Sequence, residues 1–124
     1  MKLTEAEWQI MNVLWRKHPA TARNIMDRLP AGANWAYTTV KTLLTRLVEK
    51  KAVSEVKQGN TSLYEPMVSQ RKARLNAFRS LLDQAFDGAL GPLVHLLAEE
   101  RQVTAAEREE LARILESEDQ GKGQ

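Results

Sequence analysis

The side chains best suited to chemistry fall in one short run, from Trp35 to Lys51. Placed at about 100° per residue, Ala36, Val40, Leu43, Leu44, Leu47 and Val48 line one apolar stripe. The opposite face then carries Thr38, Lys41, Thr42, Thr45 and Glu49, with Thr39 and Arg46 at its borders. Four threonines there do nothing for helix stability, because β-branched residues lose rotamer freedom in a helix. They are short, so the backbone beneath them can approach another surface closely. The long polar groups among them are cations until Glu49 near the end. Such a face fits the major groove of duplex DNA. Hydroxyls reach base edges or phosphates, threonine methyls meet thymine methyls, and Lys or Arg reads guanine O6 and N7. This reading assigns base contacts to Thr38, Thr39, Lys41, Thr42 and Arg46. The competing reading is an ordinary solvated face, and for an isolated helix it would be preferred.

Other chemistry is sparse. The chain has no cysteine, which excludes disulfides, thiolate metal sites and a cysteine nucleophile. Its two histidines, His18 and His95, lie in different segments, and only His95 has a carboxylate at helical spacing, Glu99. That pair lacks the further ligands of a zinc site and reads as a surface hydrogen bond. No glycine-rich phosphate loop or nucleophile elbow is present. The expectation is a protein that is not an enzyme, with no cofactor and no metal.

The elements around the threonine face favour the groove reading. Thr4 and Glu7 form a capping box ahead of an apolar stripe of Trp8, Met11, Leu14 and Trp15, flanked by Ile10 and Val13. His18-Pro19 stops this first helix, since a residue before proline is pushed out of the α region. A shorter helix follows from Thr21, a suitable N-cap, through Ile25, Met26 and Leu29 to Pro30; residues 30–34 read as a turn. After the third helix, residues 52–56 and 62–65 alternate apolar with polar around a polar tip, as a hairpin does. A helix-turn-helix followed by a hairpin is a winged arrangement. The wing tip, with Lys57 and Asn60, can meet a phosphate or the minor groove. Lys50 with Lys51, Thr21 and Arg23 at the second helix, and Tyr37 are candidates for flanking phosphates. Trp8, Trp15 and Tyr64 read as core, and Trp35 as packing at the mouth of the third helix.

From Ser69 the pattern is helical again. Leu75, Phe78, Leu82 and Phe86 line one helix, Leu93, Leu96 and Leu97 a second, and Leu111, Ile114 and Leu115 a third that starts at a Thr104–Glu107 capping box. These short helices cannot easily close a core alone, so their apolar faces are the expected interface of a homodimer. The organisation expected is a winged-helix domain over 1–68, a helical dimerisation domain over 69–117, and a disordered polar tail over 118–124. The fold class is mainly α with a small β-hairpin wing.

Charge agrees with this division. Residues 1–68 hold ten Lys/Arg against six Asp/Glu, and residues 69–124 hold eight against ten, so the basic half suits a polyanion partner, while ordinary solvation accounts for that charge equally well. No signal peptide and no membrane-spanning run is visible, which suits the cytoplasm.

The stretches Thr4 to Arg16, Thr21 to Leu29, Asn34 to Ser54 and Glu107 to Glu116 together resemble the penicillinase-repressor family of BlaI, MecI and CopY type. Most specific are Glu7-Trp8-x-x-Met11-x-x-x-Trp15 and Thr39-Val40-x-Thr42-Leu43-Leu44-x-Arg46-Leu47. The resemblance implies a winged helix, a helical dimerisation domain, and repression from a palindromic operator in double-stranded DNA. It places the recognition residues on Thr38, Thr39, Lys41, Thr42 and Arg46. Members of the β-lactam-resistance type are inactivated by proteolysis at an asparagine–phenylalanine bond, and the matching stretch here, Leu93 to Leu97, has no such dipeptide. Copper-responsive members carry a cysteine-rich site, which this chain lacks. The inducing signal and any regulatory protease therefore stay open. A winged-helix module that binds proteins rather than specific DNA is the alternative function.

Overall fold

The structure is a computed structural model that describes residues 2–100 and 104–122, the last eight of them for backbone alone. Helix α1 spans Glu5–Arg16, α2 Ala22–Arg28 and α3 Tyr37–Glu49. Strands β1 (Val53–Gln58) and β2 (Thr61–Pro66) follow, then α4 (Gln70–Ala85), α5 (Leu90–Glu99) and α6 (Ala105–Lys122). The chain divides into two compact units, Met1–Ala77 and Phe78–Gln124, with the boundary inside α4 rather than ahead of it.

Local chemistry fixes the helix starts of the first unit. Thr4 Oγ1 accepts from Glu7 N at 3.2 Å while Thr4 N donates to Glu7 Oε1 at 2.8 Å, the reciprocal box that satisfies two orphan donors. Thr21 and Asn24 make the same exchange at α2, at 3.0 and 3.2 Å. The end of α3 is closed by backbone alone. Lys51 takes a left-handed φ of 64°, Lys51 N donates to Val48 O and Ala52 N to Leu47 O. Those two bonds are a Schellman ending, and they turn the chain straight into β1.

The core of this unit gathers one face of each helix. Ile10, Met11 and Leu14 of α1, Ile25 of α2, and Val40, Leu44 and Leu47 of α3 are fully buried, with Ala52, Val53 and Tyr64 closing the hairpin side. Each large aliphatic among them contributes about 1.5–3 kcal/mol by leaving water. Two strands alone would not hold. Here β2 gains a second partner, because Ala20 between α1 and α2 exchanges both backbone bonds with Tyr64, at 3.1 and 2.8 Å. Trp15 packs against the core and donates from its indole to Val68 O at 2.9 Å, so the expected core tryptophan also ties down the chain leaving the wing.

The hairpin is longer than the alternation suggested. Lys57, Gln58 and Thr61 belong to the strands, and the turn is Gly59-Asn60 alone. Gly59 takes a φ of 65°, a conformation that a tight hairpin turn asks of glycine.

In the second unit α5 buries none of its residues. Leu82, Phe86, Leu93, Leu97 and Leu111 are half-buried, while Phe78, Leu96 and Ile114 are exposed. Leu75, in the part of α4 that belongs to the first unit, is exposed as well. Leu115 lies outside the residues whose side chains are described. Thr104 and Glu107 form the expected capping box, at 3.1 Å both ways. Helix α6 then continues to Lys122, which corrects the expectation of a disordered tail from 118; the last two residues lie outside the described ones. Residues 116–120 contain no glycine or proline, so nothing in them stops helix propagation.

Candidate nucleic-acid interface

Helix α3 presents the expected face. Val40, Leu43, Leu44 and Leu47 are buried, and Thr38, Thr39, Thr42, Thr45 and Arg46 are exposed. The threonines are held in place by their own helix: Thr42 Oγ1 donates to Thr38 O at 2.9 Å and Thr45 Oγ1 to Lys41 O at 3.0 Å. Each hydroxyl keeps its lone pairs for an incoming donor. Thr38, Thr39, Thr42, Leu43 and Arg46 line one shallow groove on this helix.

Lys41 sits differently from its neighbours. It is half-buried, donates from Nζ to Tyr64 Oη at 3.2 Å, and lies 5.8 Å from the centre of that ring. Tyr64 Oη in turn donates to Glu55 Oε2 at 3.3 Å, and Ser62 Oγ donates to the same oxygen at 2.6 Å. The accepting Tyr64 oxygen holds the Lys41 ammonium above the usual lysine range. The Ser62 hydroxyl, then Tyr64 and the nearby Lys41 and Lys57 charges, hold the Glu55 carboxyl below the usual carboxylate range. Lys41 thus joins α3 to the wing through a cation–phenol–carboxylate relay. Sequence alone shows Tyr64 as core only and gives no role to Glu55 or Ser62. The register Glu55↔Tyr64 and Lys57↔Ser62, with side chains alternating along each strand, is the signal that places all four on one hairpin face.

A cleft of about 330 Å³ runs between the start of α2, α3 and the wing. It brings together Thr21, Arg23, Tyr37, Lys41 and Asn60 with Thr61, Ser62 and Tyr64. Thr21 Oγ1 accepts the capping bond from Asn24 N, which leaves its proton free to donate. The Arg23 guanidinium stands 5.2 Å over the Tyr37 ring, a cation–π contact that orders both exposed side chains. Lys57 lies on the same hairpin face, in a neighbouring cleft with Lys41, Glu55, Gly59, Asn60 and Ser62. Among the described residues Arg23, Arg46 and Lys57 take part in no ion pair.

Lys50, expected on a flanking phosphate, is instead committed inside the protein. Its Nζ donates to Glu7 Oε1 at 2.6 Å and to Lys2 O at 2.8 Å, and Glu7 is 1% exposed. The competing demand is plain: a buried carboxylate without a cation would be far costlier than a surface lysine without a phosphate. His95 and Glu99 do pair on the surface, at 3.0 Å. Among the described residues no helix is long and apolar enough to cross a membrane.

Three helices closed by a two-stranded wing, with a polar third helix facing outward, define a winged helix-turn-helix protein. The family model for the penicillinase repressor matches residues 3–117. The chain belongs to the penicillinase repressor family, and is a DNA-binding transcriptional repressor of winged-helix type, not an enzyme. It is 28% identical over 114 residues to the methicillin resistance regulatory protein MecI of Staphylococcus aureus, covering 92% of this chain and 93% of that one. It is 27% identical over 115 residues to the penicillinase repressor of Bacillus licheniformis, covering 93% and 90%. Among solved structures the DNA-binding domain of the repressor BlaI superposes with a TM-score of 0.51 at 26% identity, covering 56% of this chain and 84% of that domain.

Proposed function

We propose that the protein represses transcription as a homodimer on a palindromic operator, with one α3 in the major groove of each half-site. One observation carries this: the exposed threonine–Arg46 face of α3 stands on a helix whose other side is locked in the core. Thr38, Thr39, Thr42 and Arg46 read base edges, with Lys41 at the wing-side border of that face. Thr21, Arg23, Tyr37 and Asn60 hold phosphates of the seated complex, Lys57 meets phosphates in complexes held by the backbone alone, and Lys50 has no part. One short helix reads too few base pairs for useful discrimination, whereas two copies on a two-fold axis read two half-sites. The exposed and half-buried leucines of α4, α5 and α6, with Phe78 and Phe86, supply the pairing surface, since no residue of α5 is buried in the single chain. The expected compartment is the cytoplasm, where the operator is. The Leu93 to Leu97 stretch has no asparagine–phenylalanine bond, so an induction signal other than cleavage there fits these residues.

The test is selection of duplexes from a randomised pool, followed by affinity and salt titration on the winner. A palindromic winner bound by two chains, with affinity falling steeply as salt rises, is expected. No enrichment over random duplex would overturn the reading in favour of a protein-interaction module.

A further inference from the structure

Two clefts meet the wing, and they differ in charge. The one beside α2 is lined by Thr21, Arg23, Lys41, Asn60, Ser62 and Tyr64 among others, with no carboxylate among its lining residues. The one beyond it, of about 370 Å³, shares Lys41, Asn60 and Ser62 but adds Lys57 and the carboxylate of Glu55. Both are large enough and cationic enough to take a backbone phosphate. Glu55 is fixed in the second by Ser62 and Tyr64, both bonded to Oε2, so it cannot swing away without breaking two hydrogen bonds.

We propose that Glu55 is a specificity-determining residue, an anion built into the wing that closes the outer cleft to a DNA strand and confines the backbone to the inner one. This rests on the DNA-binding reading above. A phosphate entering the outer cleft would be attracted by Lys57 and Lys41 and repelled by Glu55 at close range. A phosphate in the inner cleft meets Arg23 and Lys41 with the carboxylate behind the Tyr64 hydroxyl. Binding that relies on phosphates alone samples both tracks, while binding that seats α3 on its bases uses one. Glu55 therefore weakens the first kind of complex more than the second, and discrimination by penalising the wrong partner needs no contact to any base.

The experiment compares the unaltered protein, Glu55→Gln and Glu65→Gln on two duplexes at one salt concentration. One duplex is the tightest selected from a randomised pool, the other a scramble of the same composition. Glutamine keeps the acceptor for Ser62 and Tyr64. Glu65 lies on the other hairpin face, opposite Ser54, and removes the same unit of charge. Glu55→Gln is expected to tighten the scrambled duplex about fivefold, the reach of one screened surface charge, and the selected duplex less, so the ratio falls. Glu65→Gln is expected to leave the ratio unchanged. Equal tightening on both duplexes by Glu55→Gln, or the same ratio change from Glu65→Gln, would overturn the proposal by reducing Glu55 to bulk charge. Failure of the unaltered protein to prefer the selected duplex would instead sink the DNA-binding reading itself.

Discussion

Lys50 at the end of α3 donates to the buried Glu7 of α1 at 2.6 Å, and so clamps the start of the first helix to the end of the third. Glu7 also accepts from Thr4 N through the same oxygen, while its buried Oε2 has no hydrogen-bond partner among the described residues. The carboxylate is thus held by one cation and by Thr4. Removing the cation leaves a desolvated charge with half its acceptor capacity unmet. Lys50→Met should destabilise the first unit by about 2–4 kcal/mol, toward the lower end because water reaches the lysine side of the pair. Urea denaturation would check this. Affinity for DNA per folded molecule should be unchanged, and a loss of affinity without loss of stability would return Lys50 to the phosphate contacts.

The same pair makes stability depend on acid. Burial pushes the Glu7 carboxyl up, but Lys50 and the Thr4 backbone and hydroxyl donors together hold it below the usual range. A depressed folded-state value means the unfolded chain takes the proton first. The stabilisation is therefore present above the unfolded glutamate value of about 4.3 and is lost as pH falls below it. Glu7→Gln should be less stable near neutrality and should lose less stability between pH 5 and pH 3, both values being approximate limits set by that reference. Parallel pH profiles for the two proteins would refute the assignment.

Arg46 and Lys57 should fail in different ways. Arg46 is exposed on the α3 face with no ion pair among the described residues, so Arg46→Ala should cost about 1–3 kcal/mol on the selected operator and relax the preference at one base pair. Lys41→Ala should cost a similar amount on the operator. Lys57 stands in the outer cleft that Glu55 closes to a seated strand, so Lys57→Ala should weaken a scrambled duplex more than the selected one and lower the salt slope on the scrambled duplex by about one. A fluorescence anisotropy titration across salt and sequence separates the two. A uniform loss from Arg46→Ala would show that it holds a phosphate rather than a base.

Much of this arrangement is legible in the sequence because it is written in local patterns. Capping boxes at Thr4 and Thr104 and the apolar stripe of α3 place their elements to within a residue or two. What stays hidden depends on partners distant in the chain. The Ala20–Tyr64 bridge is a single pair with no alternation to betray it. Lys50 looks like any surface cation until Glu7, 43 residues away, is seen to be buried beneath it. The relay from Lys41 to Glu55 requires the hairpin register, and the polar run from Lys57 to Thr61 masks where the strands end. The α4 boundary is hidden for a related reason: Ala73 is buried while Leu75, Phe78 and Leu81 further along the helix are exposed, and the unit boundary falls between Ala77 and Phe78 within one continuous helical pattern.

Those exposed side chains lead to the prediction that bears most directly on how the repressor reads DNA. Phe78 is 39% exposed and Leu96 51%, in a unit where α5 has no buried residue. Large apolar side chains left open on every helix of a small unit mark a surface meant for a partner. A second copy fits, since the two-fold operator proposed above would need one. Leu96→Glu places a charge in that surface, while the core of the first unit is drawn from residues up to Ala73. Light scattering should then report a monomer in place of a dimer, and stability of the winged unit should be unchanged. Operator affinity should fall by at least about tenfold, because each half-site must now be bound separately, while binding to a single half-site persists. A dimer that survives both Leu96→Glu and Phe78→Glu would move the pairing surface elsewhere and leave these leucines to be covered by something other than a second copy.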